Sequence, residues 1–95
     1  MQIQWTEAAE GDLDSIERYI ACDKPSAAIR QVLRIIKAVE QTLPKMPFLG
    51  RPGRVPGTRE MVINGTPYIV AYRVKHDTLQ ILRVIHSARK WPEAF

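Results

Sequence analysis

The stretch TREMVINGTPYIVAYRV, Thr58 to Val74, decides the fold. Apolar and polar residues alternate on both sides of Asn64-Gly65, so the period is two and the elements are strands. Asn-Gly favours a tight hairpin turn because both residues tolerate positive φ. The expected strands run Thr58–Ile63 and Thr66–Val74. Lys75-His76-Asp77 turns the chain again, and Thr78 to about His86 supplies a last strand. Such a three-stranded antiparallel meander has an apolar face that must be covered.

The cover lies upstream. Gln2–Trp5 alternates and reads as a short first strand. Thr6 follows as a helix N-cap, with Glu7 and Glu10 in the first turn, where the helix dipole favours acids. Ala9, Leu13, Ile16 and Ile20 then recur at helical spacing, giving a helix to about Ala21. Asp23 is positioned to cap a second helix and Pro25 to open it. Ile29, Val32, Ile36, Val39 and Leu43 mark its apolar face, and Pro44 stops it. So short a link implies an antiparallel helical hairpin. Pro44–Gly57 holds four of the seven prolines and three of the five glycines, and reads as a loop anchored by Phe48 and Leu49. The order is β-α-α-β-β-β: an α+β fold with a helical hairpin packed on a small antiparallel sheet.

At 95 residues the chain makes a single domain, 1–95. Its longest apolar runs are too short to span a bilayer, so no membrane partner is expected. The N-terminus has neither the basic start nor the apolar core of an export signal. One cysteine, Cys22, allows no internal disulfide and suits a reducing cytoplasm. Two histidines and no spaced ligand set leave a metal site without support, and no glycine-rich phosphate loop or nucleophile elbow occurs. No cofactor is expected.

Charge is segregated along the chain. Residues 1–44 carry a net −2 and residues 45–95 a net +6. Six of the nine late cations are arginines, the residue type suited to bidentate contact with phosphate or carboxylate. By strand alternation, Leu82, Val84 and His86 share one side of the last strand, and Leu79, Ile81, Arg83 and Ile85 share the other. Arg59, Arg73 and Arg83 interrupt apolar strands, and Arg51, Arg54, Arg89 and Lys90 flank them. Together they imply a basic surface facing an acidic partner. Glu60 reads as an exposed partner of Arg59, and Trp91 as a pin holding the tail on the core.

Three segments, taken together, resemble the RelE/ParE superfamily, the toxins of bacterial type II toxin–antitoxin pairs. They are WTEAAEGDLDSIERYIACDKPSAA, GRPGRVPGTREMVINGTPYIVAYRV and LQILRVIHSARKWP. The resemblance implies a cytoplasmic bacterial toxin, a cognate antitoxin partner that wraps the hairpin and covers the basic face, and one of two targets. One branch cleaves mRNA, often on the ribosome and without metal, by acid–base help to the 2′-hydroxyl and charge neutralisation at phosphate. The other, ParE, poisons DNA gyrase. The cleaving branch typically carries an arginine directly after the tyrosine of the middle strand, and here Ile69 follows Tyr68. The chain therefore leans towards ParE. His86 would be catalytic only in a ribonuclease, whereas Arg54, Arg59, Arg83, Arg89 and Lys90 would bind the target in either branch. A third outcome is an inactive homologue that only binds antitoxin.

Overall fold

The computed structural model describes residues 1–95. The elements are β1 (Gln2–Trp5), α1 (Glu7–Ala21), α2 (Pro25–Thr42), β2 (Arg51–Pro52), β3 (Arg59–Val62), β4 (Tyr68–Lys75) and β5 (Thr78–His86). They form an α+β fold with the helical hairpin on one face of a five-stranded sheet of order β1-β5-β4-β3-β2. Strands β3, β4 and β5 make the expected antiparallel meander. The sheet as a whole is mixed, because β1 pairs parallel to β5, Gln2 opposite Thr78 and Trp5 opposite Ile81. Parallel pairing follows from the connection: the two helices and the meander return the chain beside its start in the same direction. The proline-rich loop also contributes the two-residue β2, antiparallel to β3.

Thr6 caps α1 as its position predicts, its hydroxyl accepting from the Ala9 N–H at 3.3 Å and donating to the Ile81 carbonyl at 2.7 Å. Asp23 does not cap α2. The N-cap is Lys24, without a side-chain bond, and Pro25 at the first helical position spares one orphan donor. The helices bury Ala9, Ile16, Ile35, Val39 and Leu43 against Met61, Ile63, Tyr68, Val70, Tyr72, Leu79, Ile81 and Val84. Each large apolar side chain so buried contributes roughly 1.5–3 kcal/mol.

Turn chemistry is distributed differently from the expectation. The two-residue turn lies at His76-Asp77, both with positive φ (49° and 61°). The Asn64-Gly65 connection is longer, because Thr66 intervenes: its hydroxyl donates to the Ile63 carbonyl and accepts from the Tyr68 N–H. Phe48 and Leu49 are exposed and do not anchor the proline-rich loop. Tyr72 holds it instead. The phenol donates to the Pro47 carbonyl and accepts from the Gly50 N–H, both at 2.9 Å. A Cβ at Gly50 would stand 2.7 Å from that phenolic oxygen, so the close approach requires glycine.

Strict alternation also fails on β5. Ala71 pairs with Arg83 and Tyr72 with Ile81, leaving Leu82 as an extra residue in a bulge. Beyond it the strand's faces exchange. Leu79 and Ile81 meet the helices before the bulge, and Val84 meets them after it. His86, two residues on, shares that side and lies opposite Tyr68. The opposite sheet face buries Glu60, Ile69, Ala71 and Ile85. No helix in the chain is long and apolar enough to cross a membrane.

Candidate functional site

Beyond Trp5, β1 no longer covers the outer edge of β5, and α1 runs along it. The exposed backbone groups there need partners. The Asp12 carboxylate accepts the Val84 N–H at 2.8 Å and grips Arg83 through Nε at 2.7 Å and Nη2 at 3.0 Å. This bidentate pair raises the Arg83 pKa above its ordinary value, against the opposing effect of burial. It also fixes the distance between α1 and the end of β5.

Next to this clamp is a groove of about 610 Å³ lined by Asp12, Ser15, Ile16, Tyr19, Tyr68, Val84, His86, Ala88 and Arg89. Its floor is apolar, and hydroxyls, the imidazole and the Arg89 cation line its sides. Tyr68 packs edge-on to the imidazole, ring centres 5.5 Å apart. Burial raises the Tyr68 pKa; neighbouring Tyr19 adds to the rise and Arg89 opposes it. Tyr68 is therefore a neutral phenol near pH 7, a hydrogen-bonding group and not a phenolate base. The His86 Nδ1 accepts the Ala88 N–H at 3.0 Å. A neutral imidazole held this way carries its proton on Nε2, which can donate.

The sequence-predicted cations separate into distinct environments. Arg89 shares the groove with His86. Arg83 is held by Asp12. Arg59 donates to the carbonyls of Gly50 and Phe48, with its guanidinium 5.0 Å from the Phe48 ring centre. Arg54 lies 3.5 Å from Glu60 and stacks 4.2 Å from the Trp91 ring centre. Lys90 is exposed. Glu60 is not the exposed partner of Arg59: it is 2% exposed, paired to Arg51 at 3.1 Å and accepting the Arg54 N–H at 2.8 Å. Trp91 is half-buried between Arg54 and Phe95. Sequence reading missed Asp12, Ser15 and Tyr19. Their spacing of three and four residues marks one flank of α1, a signal visible once Leu13 and Ile16 are assigned to the core. No three His, Cys, Asp or Glu residues converge as a metal-binding group would require.

The sequence and fold have counterparts. Residues 3–91 match the profile of the ParE toxin of the type II toxin–antitoxin system parDE. The protein Y4kP of Sinorhizobium fredii, described as a toxin, is 46% identical over 97% of this chain and 94% of its own length. Toxin RelE2 of Caulobacter vibrioides is 36% identical over 93% of this chain and 97% of its own. Among solved structures, a chain of the chromosomal ParDE system from P. aeruginosa superposes with a TM-score of 0.85 and 32% identity, covering 90% of this chain and 95% of that one. A chain of the RelBE2 toxin–antitoxin complex from Mycobacterium tuberculosis gives 0.68 and 28%, over 90% and 95%.

Proposed function

Since the chain belongs to the ParE toxin family of type II toxin–antitoxin systems, we propose that it inhibits growth by poisoning DNA gyrase in the bacterial cytoplasm until a cognate antitoxin covers it. The observation that carries this reading is the dispersal of cations away from His86. Cleaving RNA at a 2′-hydroxyl requires a proton carrier together with charges around the phosphate. Here Arg83 is committed to Asp12, Arg54 to the Glu60 cluster and Arg59 to loop carbonyls, leaving Arg89 as the cation lining the His86 groove. Ile69, where the cleaving branch typically has an arginine, is buried opposite Ile85 on the other sheet face. The groove then serves as a contact surface, with Arg89, Lys90 and the His86 Nε2 donor engaging the target.

The alternative, a metal-independent mRNA endoribonuclease, draws support from one feature: His86, Tyr68 and Arg89 line the same open groove. A gyrase assay separates the two. Purified toxin, gyrase, ATP and plasmid should give lost supercoiling and trapped cleaved DNA. Intact supercoiling beside growth inhibition and fragmented mRNA in cells would reverse the assignment.

A further inference from the structure

Helix α2 has two unlike flanks. Glu40, its one acid, points to one sheet edge, where its carboxylate accepts from the Trp5 indole at 3.4 Å. Arg34 stands on the other side, its guanidinium so close to Gly65 in the β3–β4 connection that a Cβ there would lie 2.6 Å from it. Arg30 and Lys37 are exposed on the same side as Arg34. At 100° per residue these three cations fall within about 60° of arc, at successive rises of about 6 and 4.5 Å. None of them joins an ion pair, since the three salt bridges of the chain lie elsewhere. The neighbouring side chains on this flank are Ala27, Gln31 and Leu33, none of them acidic. Arg30 and Arg34, four residues apart, repel one another, and Glu40, three residues beyond Lys37, turns to the Trp5 indole and forms no ion pair with Lys37.

We infer that this flank is a phosphate-binding ridge that lies along the backbone of duplex DNA. An unpaired row of cations on a straight helix complements a regularly spaced polyanion. The ridge has no aromatic side chain, so it lacks the stacking platform used to hold single-stranded bases. Ile29 and Leu33 are also exposed on α2, and Leu33 borders the cations. The ridge is separate from the His86 groove, and the inference holds whichever target that groove engages.

The test is fluorescence anisotropy of the whole chain with a labelled duplex of about 20 base pairs, titrated at several salt concentrations between about 25 and 200 mM. Arg30→Gln/Arg34→Gln should weaken binding and reduce the slope of log K against log salt by about 1.8, because two phosphates are no longer neutralised. Arg73→Gln/Lys75→Gln removes the same charge from the β4–β5 end and should leave the slope near that of the parent. Both pairs are exposed except for the Arg73 contact to Gln80, and circular dichroism verifies that each variant is folded. Equal effects of the two double variants would reduce the ridge to diffuse net charge and overturn the inference. So would absence of binding at the lowest salt, or tighter binding of single-stranded RNA than of the duplex.

Discussion

Arg51 and Arg54 end on a carboxylate that is 2% exposed, whereas Arg89, a few residues past the end of β5, ends on no acid at all. Both regions belong to the same basic half of the chain and border the same sheet. What separates them is the burial of one acid. Glu60 gathers two guanidinium groups and a backbone N–H, so the proline-rich segment is closed onto β3 and both arginines have an internal counter-charge. At the groove the acid, Asp12, is consumed by Arg83 and the Val84 N–H, which leaves the His86 Nε2, three hydroxyls and Arg89 facing outwards. One region is built to hold the molecule together, and the other to meet something else.

The largest effect should come from opening the closed region. Glu60→Ala leaves the Arg54 N–H without its acceptor and Arg51 and Arg54 without their counter-charge. Both guanidinium groups are about half exposed and regain water, so the cost should be about 2–3 kcal/mol and not the larger figure for a fully buried pair. Urea denaturation measures it, and a loss below about 0.5 kcal/mol would show that the cluster is dispensable. Asp12→Ala should follow at about 1–2 kcal/mol, since Val84 loses a hydrogen bond and Arg83 its bidentate partner. It also tests the contrast directly. Freed Arg83 adds a cation near the groove, so the variant should bind an anionic target more tightly per folded molecule while melting earlier.

These contrasts explain which parts of the molecule were legible in sequence. The helical hairpin, the meander and the Thr6 cap rest on period and local chemistry, and each appears where the residues indicate. The Leu82 bulge has no such local signal. It arises from pairing with β4 and reverses which residues of β5 face the helices, so alternation placed Ile81 and Val84 on opposite sides although both enter the core. Of the site, His86 and Arg89 were legible because they break an apolar run. The internal use of Arg54, Arg59 and Arg83 was not, because their partners lie between 6 and 71 residues away in sequence. Glu60 looked like an ordinary surface acid for the same reason.

Tyr72 sharpens the comparison through pH. Burial raises its pKa, while the Gly50 hydrogen bond and nearby Arg59 oppose the rise. Unfolded tyrosine ionises near pH 10. Its folded form resists ionisation, so the stability it supports is complete below pH 10 and is lost as pH climbs from there through the folded-state value. Tyr72→Phe should cost about 1 kcal/mol at neutral pH, because the hydrogen bonds to Pro47 and Gly50 are no longer made. Its stability should also fall less steeply than the parent's above pH 10, with the remaining slope due to Tyr68. Parallel alkaline profiles for the two proteins would remove Tyr72 from the pH response.

The smallest effects on stability belong to the open region, and there function has to be the readout. Arg89→Ala removes a cation that is exposed and without an acid partner, so its unfolding free energy should stay within about 0.5 kcal/mol of the parent. His86→Ala loses the packing against Tyr68 and one hydrogen bond to Ala88, about 1 kcal/mol or less. Their consequences for toxicity should differ according to what the groove does. A contact surface tolerates loss of either side chain with a partial fall in potency, and the two effects add because the side chains engage the target separately. A ribonuclease fails completely without its proton carrier, and the second substitution then changes nothing more. Growth inhibition by the two single variants and the double variant therefore tests the groove's role even without knowledge of the target: graded, additive losses support contact, and abolition by His86→Ala alone establishes chemistry.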